Sequence, residues 1–205
     1  MPRRLLLVRH AAPERPRRIG EPHLPLSETG WQQARALAGR LKGAPVRALY
    51  TSPYRRALET AHVLGESLGL EPVVDERLRE WDAGQWNGLR PDEVLSLFGS
   101  DWTQMARDPH FSPPGGEHAG QVAVRVQGLL ADLRARHADG DLLLVAHSGV
   151  LAVLVHLLLG LPLEAWGRVA YRLDYASLTV FEDDGAPSQP LLLHYNDTCH
   201  LRGLA

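Results

Sequence analysis

Two histidines in this chain each close a strongly apolar run. Leu5-Leu6-Leu7-Val8 stops at Arg9-His10, and Leu142-Leu143-Leu144-Val145-Ala146 stops at His147-Ser148-Gly149. Such runs read as strands buried on both faces, ending at groups that are costly to bury unless paired. In open α/β sheets ligands bind beyond the carboxyl ends of the strands, so a guanidinium and an imidazole at that edge suit an anionic substrate. A third run, Ala48-Leu49-Tyr50-Thr51, leads into Ser52-Pro53, an N-cap followed by proline at the first helical position. Arg55 and Arg56 then fall in the first helical turn, where the dipole disfavours cations unless an anion is close. Arg55 is the choice of that pair, with Arg56 solvated or salt-bridged. Glu80 lies in Leu78–Gly88, where two glycines, two tryptophans and two carboxylates fit neither a regular helix nor a regular strand. Arg9, His10, Arg55, Glu80 and His147 together make a pocket for a phosphoryl group, because guanidiniums match its oxygens and imidazoles and carboxylates attack or move protons.

The intervening elements must bring these residues to one edge. Ser27 reads as an N-cap, with Trp31, Ala34, Ala38 and Leu41 on one helical face. A second helix, from Pro53 to about Leu68, faces the core with Ala57, Ala61, Leu64 and Leu68. Pro72 to Val74 is a short strand, Pro91 to Phe98 a short helix, and Asp108 to Gly116 a loop. Val122, Val126, Leu129, Leu130 and Leu133 mark a further amphipathic helix, and Val150 to about Leu159 is apolar nearly all round, hence a core helix. Leu178 to Phe181 and Leu191 to Tyr195 flank the turn signal Asp183-Asp184-Gly185, which predicts a hairpin at the sheet edge. The alternation predicts an α/β fold, a three-layer α/β/α sandwich with a mainly parallel sheet and an antiparallel edge hairpin. With no repeat or linker, residues 1–205 read as a single domain.

Composition sets the outer limits. The chain has 205 residues, 44% of them hydrophobic and 22% charged, which suits one ordinary globular core. A formal net charge of -2 gives no electrostatic argument for nucleic acid or an anionic membrane, so any anion specificity must be local. The single cysteine, Cys199, excludes an intrachain disulfide and a zinc site built from thiolates alone, and fits a reducing cytoplasm. The apolar run after the basic start ends at Arg9, too short for a signal peptide, and Gly149 to Leu161 is interrupted by His156 and shorter than the ~20 residues that span a bilayer. A cytoplasmic protein is therefore expected. The ten histidines show no compact ligand spacing, so no metal site is expected.

Several stretches resemble motifs of the histidine phosphatase, or phosphoglycerate mutase-like, superfamily. Leu7-Val8-Arg9-His10 is similar to its first motif, and Pro25-Leu26-Ser27-Glu28-Thr29-Gly30 to the segment that opens its first helix. Ser52 to Ala61 resembles its arginine helix, Leu78 to Gly88 its acid loop, and Pro114-Gly115-Gly116-Glu117 its later loop. Val145 to Gly149 resembles its second histidine motif, and Tyr195 to Leu201 a common ending. The resemblance covers nearly the full length and keeps the family's order. It implies a phosphoglycerate mutase-like fold and a phosphoric monoester hydrolase acting on a small phosphate ester, without metal or other cofactor. His10 would be the nucleophile that forms a phosphohistidine, Arg9, Arg55 and His147 would hold the phosphoryl oxygens, and Glu80 would donate the proton.

To attack, His10 must be neutral, which requires its second ring nitrogen to donate to a fixed acceptor such as a backbone carbonyl. Ser148 could hold phosphate through its hydroxyl or its amide at a helix start. The family's first motif continues with Gly, an acidic residue and Thr, whereas Ala11-Ala12-Pro13 stands here, and Pro16 falls near a position where many members have Asn. Arg15, Arg17, Arg18 and His23 are the candidates to replace those contacts; the arginines read equally well as a solvated basic loop. Asp82 and Asn87 are expected to order the acid loop, and Trp86 and Trp102 to wall the pocket or fill core. A phosphoglycerate mutase is the alternative, but only Leu89 to Ser112 separates the acid loop from Pro114, shorter than the insertion that mutases of the family carry. A phosphate-binding module without chemistry would need neither His10 nor Glu80.

Overall fold

The structure is a computed structural model that describes residues 3–15, 18–183 and 189–204. Its strands are β1 (Arg4–Arg9), β2 (Val46–Thr51), β3 (Val73–Val74), β4 (Asp141–Ala146), β5 (Leu178–Glu182) and β6 (Leu191–Asp197), in the spatial order β3-β2-β4-β1-β5-β6. The pairs β3/β2, β2/β4 and β4/β1 are parallel, while β1/β5 and β5/β6 are antiparallel. β4 is buried at every position because it is central and covered on both faces. The antiparallel edge pair stands as the sequence predicts; Asp184 and Gly185 of its turn signal lie outside the described residues.

The helices are α1 (Glu28–Leu41), α2 (Arg55–Leu68), α3 (Pro91–Met105), α4 (Ala119–Arg136) and α5 (Ser148–Leu158). Alternation along β1 sends Leu6 and Val8 into a core with Ala34, Leu37 and Leu41 of α1 and Ala57, Ala61 and Leu64 of α2. Leu5 and Leu7 enter the opposite core, with Val122, Val126 and Leu129 of α4 and Val150, Leu151 and Leu154 of α5. The result is the expected three-layer sandwich. Among the described residues, no helix is long and apolar enough to cross a membrane.

Two boundaries differ from expectation. α3 runs on to Met105 instead of ending near Phe98, with a break at Phe98 (φ −135°, ψ 35°). Gly99 weakens the helix there, but Phe98 and Trp102 both pack against the Trp86 ring at centroid distances of 5.9 Å, and this contact holds the second half in place. α2 begins at Arg55 rather than Pro53, with Tyr54 as the N-cap. Ser52 does not cap the helix; its hydroxyl is used elsewhere. At α1 the expected cap stands, and the Ser27 hydroxyl accepts the Gly30 N–H at 3.1 Å.

Candidate active site

Strand order brings the chemistry together. β2, β4 and β1 are adjacent and parallel, with Thr51 in register with Val145 and Arg9 with Ala146. The next residue on each chain, Ser52, His147 and His10, therefore arrives at the same carboxyl edge. The His10 and His147 ring centroids lie 5.0 Å apart, and Ser52 Oγ is 2.7 Å from His147 Nε2.

His10 is buried, and its partners fix its tautomer. Nδ1 is 2.7 Å from the Ala11 carbonyl, which can only accept, so Nδ1 carries the proton. Nε2 receives the Nε–H of Arg56 at 3.1 Å, and a guanidinium can only donate. Nε2 thus presents a lone pair, the state a nucleophilic histidine needs.

Arg56, not Arg55, is the arginine of α2 at this centre, which corrects the sequence-based choice. Arg56 is 6% exposed and also donates to the Glu21 carbonyl. Arg55 points outward with a side chain 57% exposed, and donates its Nε–H to Glu59 at 2.7 Å across one helical turn. The signal was present, since Arg56, Thr60 and Leu64 recur at helical spacing and all are buried. An arginine on an inward stripe has to be met by polar groups, and His10 and the Glu21 carbonyl supply them.

Glu80 reaches the first turn of α5. Its carboxylate accepts the N–H of Trp81 at 3.0 Å, of Gly149 at 3.3 Å and of Val150 at 3.2 Å. Gly149 leaves room for this approach, since a Cβ there would stand 2.7 Å from Glu80 Oε1 and shift the carboxylate from its place. The loop around Glu80 is clamped from behind by Glu117, whose carboxylate accepts from Arg79, Arg125 and the Asp82 N–H, while its backbone carbonyl accepts the Trp81 indole N–H. Burial works against the Glu117 charge, but Arg125, the Asp82 N–H and Arg79 outweigh it and hold the carboxyl below its ordinary range. Asp82 orders the same loop as expected, accepting from Asn87 at 2.8 Å and from the Gly84 N–H at 2.9 Å.

A cavity of ≈ 180 Å³ opens from His10, Arg56, Glu80, Ser148 and Gly149. Arg18 lines it from an exposed position and donates to the Gly88 carbonyl at 2.6 Å. Arg9 sits beside the centre with its guanidinium 3.9 Å from the centroid of the Tyr175 ring, which itself lies 5.5 Å from the His10 ring, and it also donates to the Leu173 carbonyl. Arg15 is exposed in a separate depression with Glu28 and Asp92, and His23 is exposed with its backbone N–H on Glu21, so the structure does not bring either to the cavity. Arg17 lies outside the described residues. Sequence reasoning missed Arg56, Ser52 and Glu117 as parts of the site.

His147 is 0% exposed, and burial above all, followed by the close His10 ring, which could not carry a proton beside a second imidazolium, and by the guanidiniums of Arg56 and Arg9, pushes its pKa well below 6.5. The folded protein holds it neutral while the unfolded chain protonates it below about pH 6.5, so the unfolded state binds more protons as pH falls. Stability contributed by this site is therefore complete above the ordinary histidine range and declines below it, by at most about 1.4 kcal/mol per pH unit for one proton. Burial of His200 acts in the same direction. Calorimetric Tm should fall from about pH 6.5 downward, before the carboxylates titrate, and His147→Asn should flatten that limb. An unchanged limb would contradict the neutral buried imidazole.

Comparison with known proteins agrees with this geometry. Residues 5–198 match the model of the histidine phosphatase superfamily (branch 1). The chain is 32% identical over 204 residues to phosphoserine phosphatase 1 of Hydrogenobacter thermophilus, covering 97% of this chain and 94% of that protein. It is 35% identical over 174 residues to glucosyl-3-phosphoglycerate phosphatase of Mycolicibacterium vanbaalenii, covering 80% and 77%. The solved mycobacterial glucosyl-3-phosphoglycerate phosphatase with inorganic phosphate superposes with a TM-score of 0.87 at 33% identity, covering 97% of this chain and 99% of that one. A buried histidine whose Nε2 lone pair accepts from an arginine, and a carboxylate at a helix start, thus stand on the fold of phosphatases, and the chain belongs to branch 1 of the histidine phosphatase superfamily, as a phosphoric monoester hydrolase.

Proposed function

We propose that the chain hydrolyses a small phosphorylated metabolite without a metal, through a phosphohistidine formed on His10. The observation that carries this reading is the Nε2 lone pair of His10, fixed by the Ala11 carbonyl on the other ring nitrogen and covered by Arg56. An arriving phosphoryl oxygen takes over the Arg56 N–H and uncovers the lone pair. Nε2 then attacks phosphorus as the P–O bond to the alcohol breaks, and the leaving oxygen takes a proton from Glu80. The carboxylate that forms is received by the N–H groups of Gly149 and Val150. In the second step Glu80 removes a proton from water, the water oxygen attacks phosphorus, and the P–N bond breaks to release phosphate and neutral His10.

Arg56 and Arg9 stay protonated throughout and offset charge on the transferring oxygens, and Ser148 at the start of α5 offers its hydroxyl and backbone N–H to the same end, the next two N–H groups being held by Glu80. His147, kept neutral, contributes a hydrogen bond rather than a charge. Ser52 Oγ already accepts the Tyr54 N–H at 3.2 Å, leaving its own proton for His147 Nε2. That arrangement places the His147 proton on Nδ1, which is buried and has no hydrogen-bond partner among the described residues. A phosphoryl oxygen would satisfy it.

The test is to quench the enzyme during turnover of a radiolabelled phosphomonoester and to locate the label. The expected label is stable in alkali, lost in acid and confined to the peptide carrying His10, with full turnover in excess chelator. Label on another residue, or activity that depends on a divalent cation, would overturn the mechanism.

A further inference from the structure

Beyond the phosphoryl end, the cavity has a character of its own. Its remaining described walls are Ile19, Leu24, Trp81, Trp86, Trp102 and Met105, with Pro13, Gly20 and Ala83 between them and Arg18 at the exposed rim. Three tryptophans meet there, and Glu80 is the only carboxylate among the described lining residues. Trp86 is fully buried and backs the wall, whereas Trp102, 41% exposed, presents its ring from the second half of α3. A cavity of ≈ 180 Å³ is smaller than the roughly 300–1,000 Å³ that drug-sized ligands occupy and must take the phosphoryl group as well, so it leaves room for a leaving group of no more than about one ring.

From these walls we infer that the enzyme selects phosphomonoesters whose alcohol is a small, uncharged, ring-bearing apolar group; this rests on the phosphatase reading above. Such a group gains from leaving water against indole rings. The alcohol of phosphoserine carries an ammonium and a carboxylate, and burying the ammonium here would leave it without an anionic partner. Glu80 does not serve as that partner in this mechanism, because as the general acid it enters the step protonated and so presents no charge to the bound ammonium. A glyceric acid or sugar alcohol would bring several polar groups against walls whose tryptophans supply one buried donor without a partner among the described residues, the Trp86 indole N–H, and no acceptor for their hydroxyls. Arg18 at the rim attracts the phosphate dianion as it enters without selecting the group behind it.

The experiment compares benzyl phosphate, O-phosphoserine and 3-phosphoglycerate, all esters of primary alcohols, so that differences report the pocket rather than leaving-group reactivity. Benzyl phosphate should have the highest kcat/KM, by about tenfold or more, the scale of discrimination that an apolar pocket gives. Trp102→Ala should bring the ratio of benzyl phosphate to phosphoserine close to unity through KM, and Trp102→Phe should restore it. Hydrolysis of phosphoserine or 3-phosphoglycerate at least as efficient as that of benzyl phosphate would overturn this selectivity while leaving the phosphatase reading intact. Inactivity on all three, with no label trapped on His10, would overturn that reading itself. A ratio unmoved by Trp102→Ala in a variant with wild-type circular dichroism would remove α3 from specificity and overturn the inference.

Discussion

Arg56→Ala should lower kcat/KM for phosphomonoester hydrolysis by about 10²- to 10³-fold, the cost of losing one preorganised donor to developing charge. Arg55→Ala should stay within about twofold, as surface substitutions generally do. The two residues are neighbours in sequence and carry the same charge, so the contrast isolates geometry. Arg56 is buried against Nε2 of His10, and Arg55 forms an exposed pair with Glu59 whose worth is small. Arg56→Lys should recover only part of the loss, because a point charge lacks the planar fork that covers the nucleophile and then turns to the phosphoryl oxygens. Steady-state kinetics on one ester, with thermal melts to show that each variant folds, decide the matter. Equal losses for Arg55→Ala and Arg56→Ala would return the clamp to Arg55 or dissolve it into general electrostatics.

The Arg55 and Arg56 pair also shows where sequence reasoning stops. Strand ends were legible, because a buried apolar run that halts at a histidine has few readings, and the two such runs prove to be adjacent parallel strands. Helical faces were legible through their period. What the sequence did not reveal was which polar residue on an inward stripe meets a partner, since that depends on residues far away in the chain. Arg56 can be buried because His10, the Glu21 carbonyl and the Tyr54 ring receive it. Ser52 carried a stronger local signal as an N-cap before proline, yet tertiary structure draws its hydroxyl to His147 across 95 positions of sequence. The continuation of α3 past Gly99 is of the same kind, with two aromatic contacts to Trp86 overriding a local stop. The Pro-Gly-Gly-Glu stretch was recognisable as a motif, but its physical purpose appears only in three dimensions. A Cβ on Gly84 would stand 2.2 Å from the Pro114 carbonyl, so the acid loop and this second loop approach backbone to backbone.

That approach leads to a prediction about the acid itself. Glu80→Gln should cost about 10²- to 10⁴-fold in kcat on esters of alkyl alcohols, the usual contribution of a positioned general acid. The loss should be much smaller on p-nitrophenyl phosphate, whose leaving oxygen departs without a proton. Glu117 touches no substrate in this mechanism. It is a positioning residue, joining Arg79, Arg125 and the Asp82 N–H behind the loop that presents Glu80. Glu117→Gln keeps the shape and removes the charge that both guanidiniums face, so the loop should lose its register against α5. The expected signature is the Glu80→Gln pattern in weaker form, a fall of about tenfold on an alkyl ester with little change on p-nitrophenyl phosphate. A merely structural role would instead lower both substrates alike in proportion to lost fold. The carboxyl of Glu117 is held below its ordinary value of 4.5, so its contribution is fully present above that pH and is lost only as the pH falls further, through the lowered value it has in the folded protein. Alkyl ester turnover in the wild type should therefore decline in that acid range before p-nitrophenyl turnover does, and Glu117→Gln should erase the difference between the two profiles. Parallel profiles in the wild type would place Glu117 outside the acid's support.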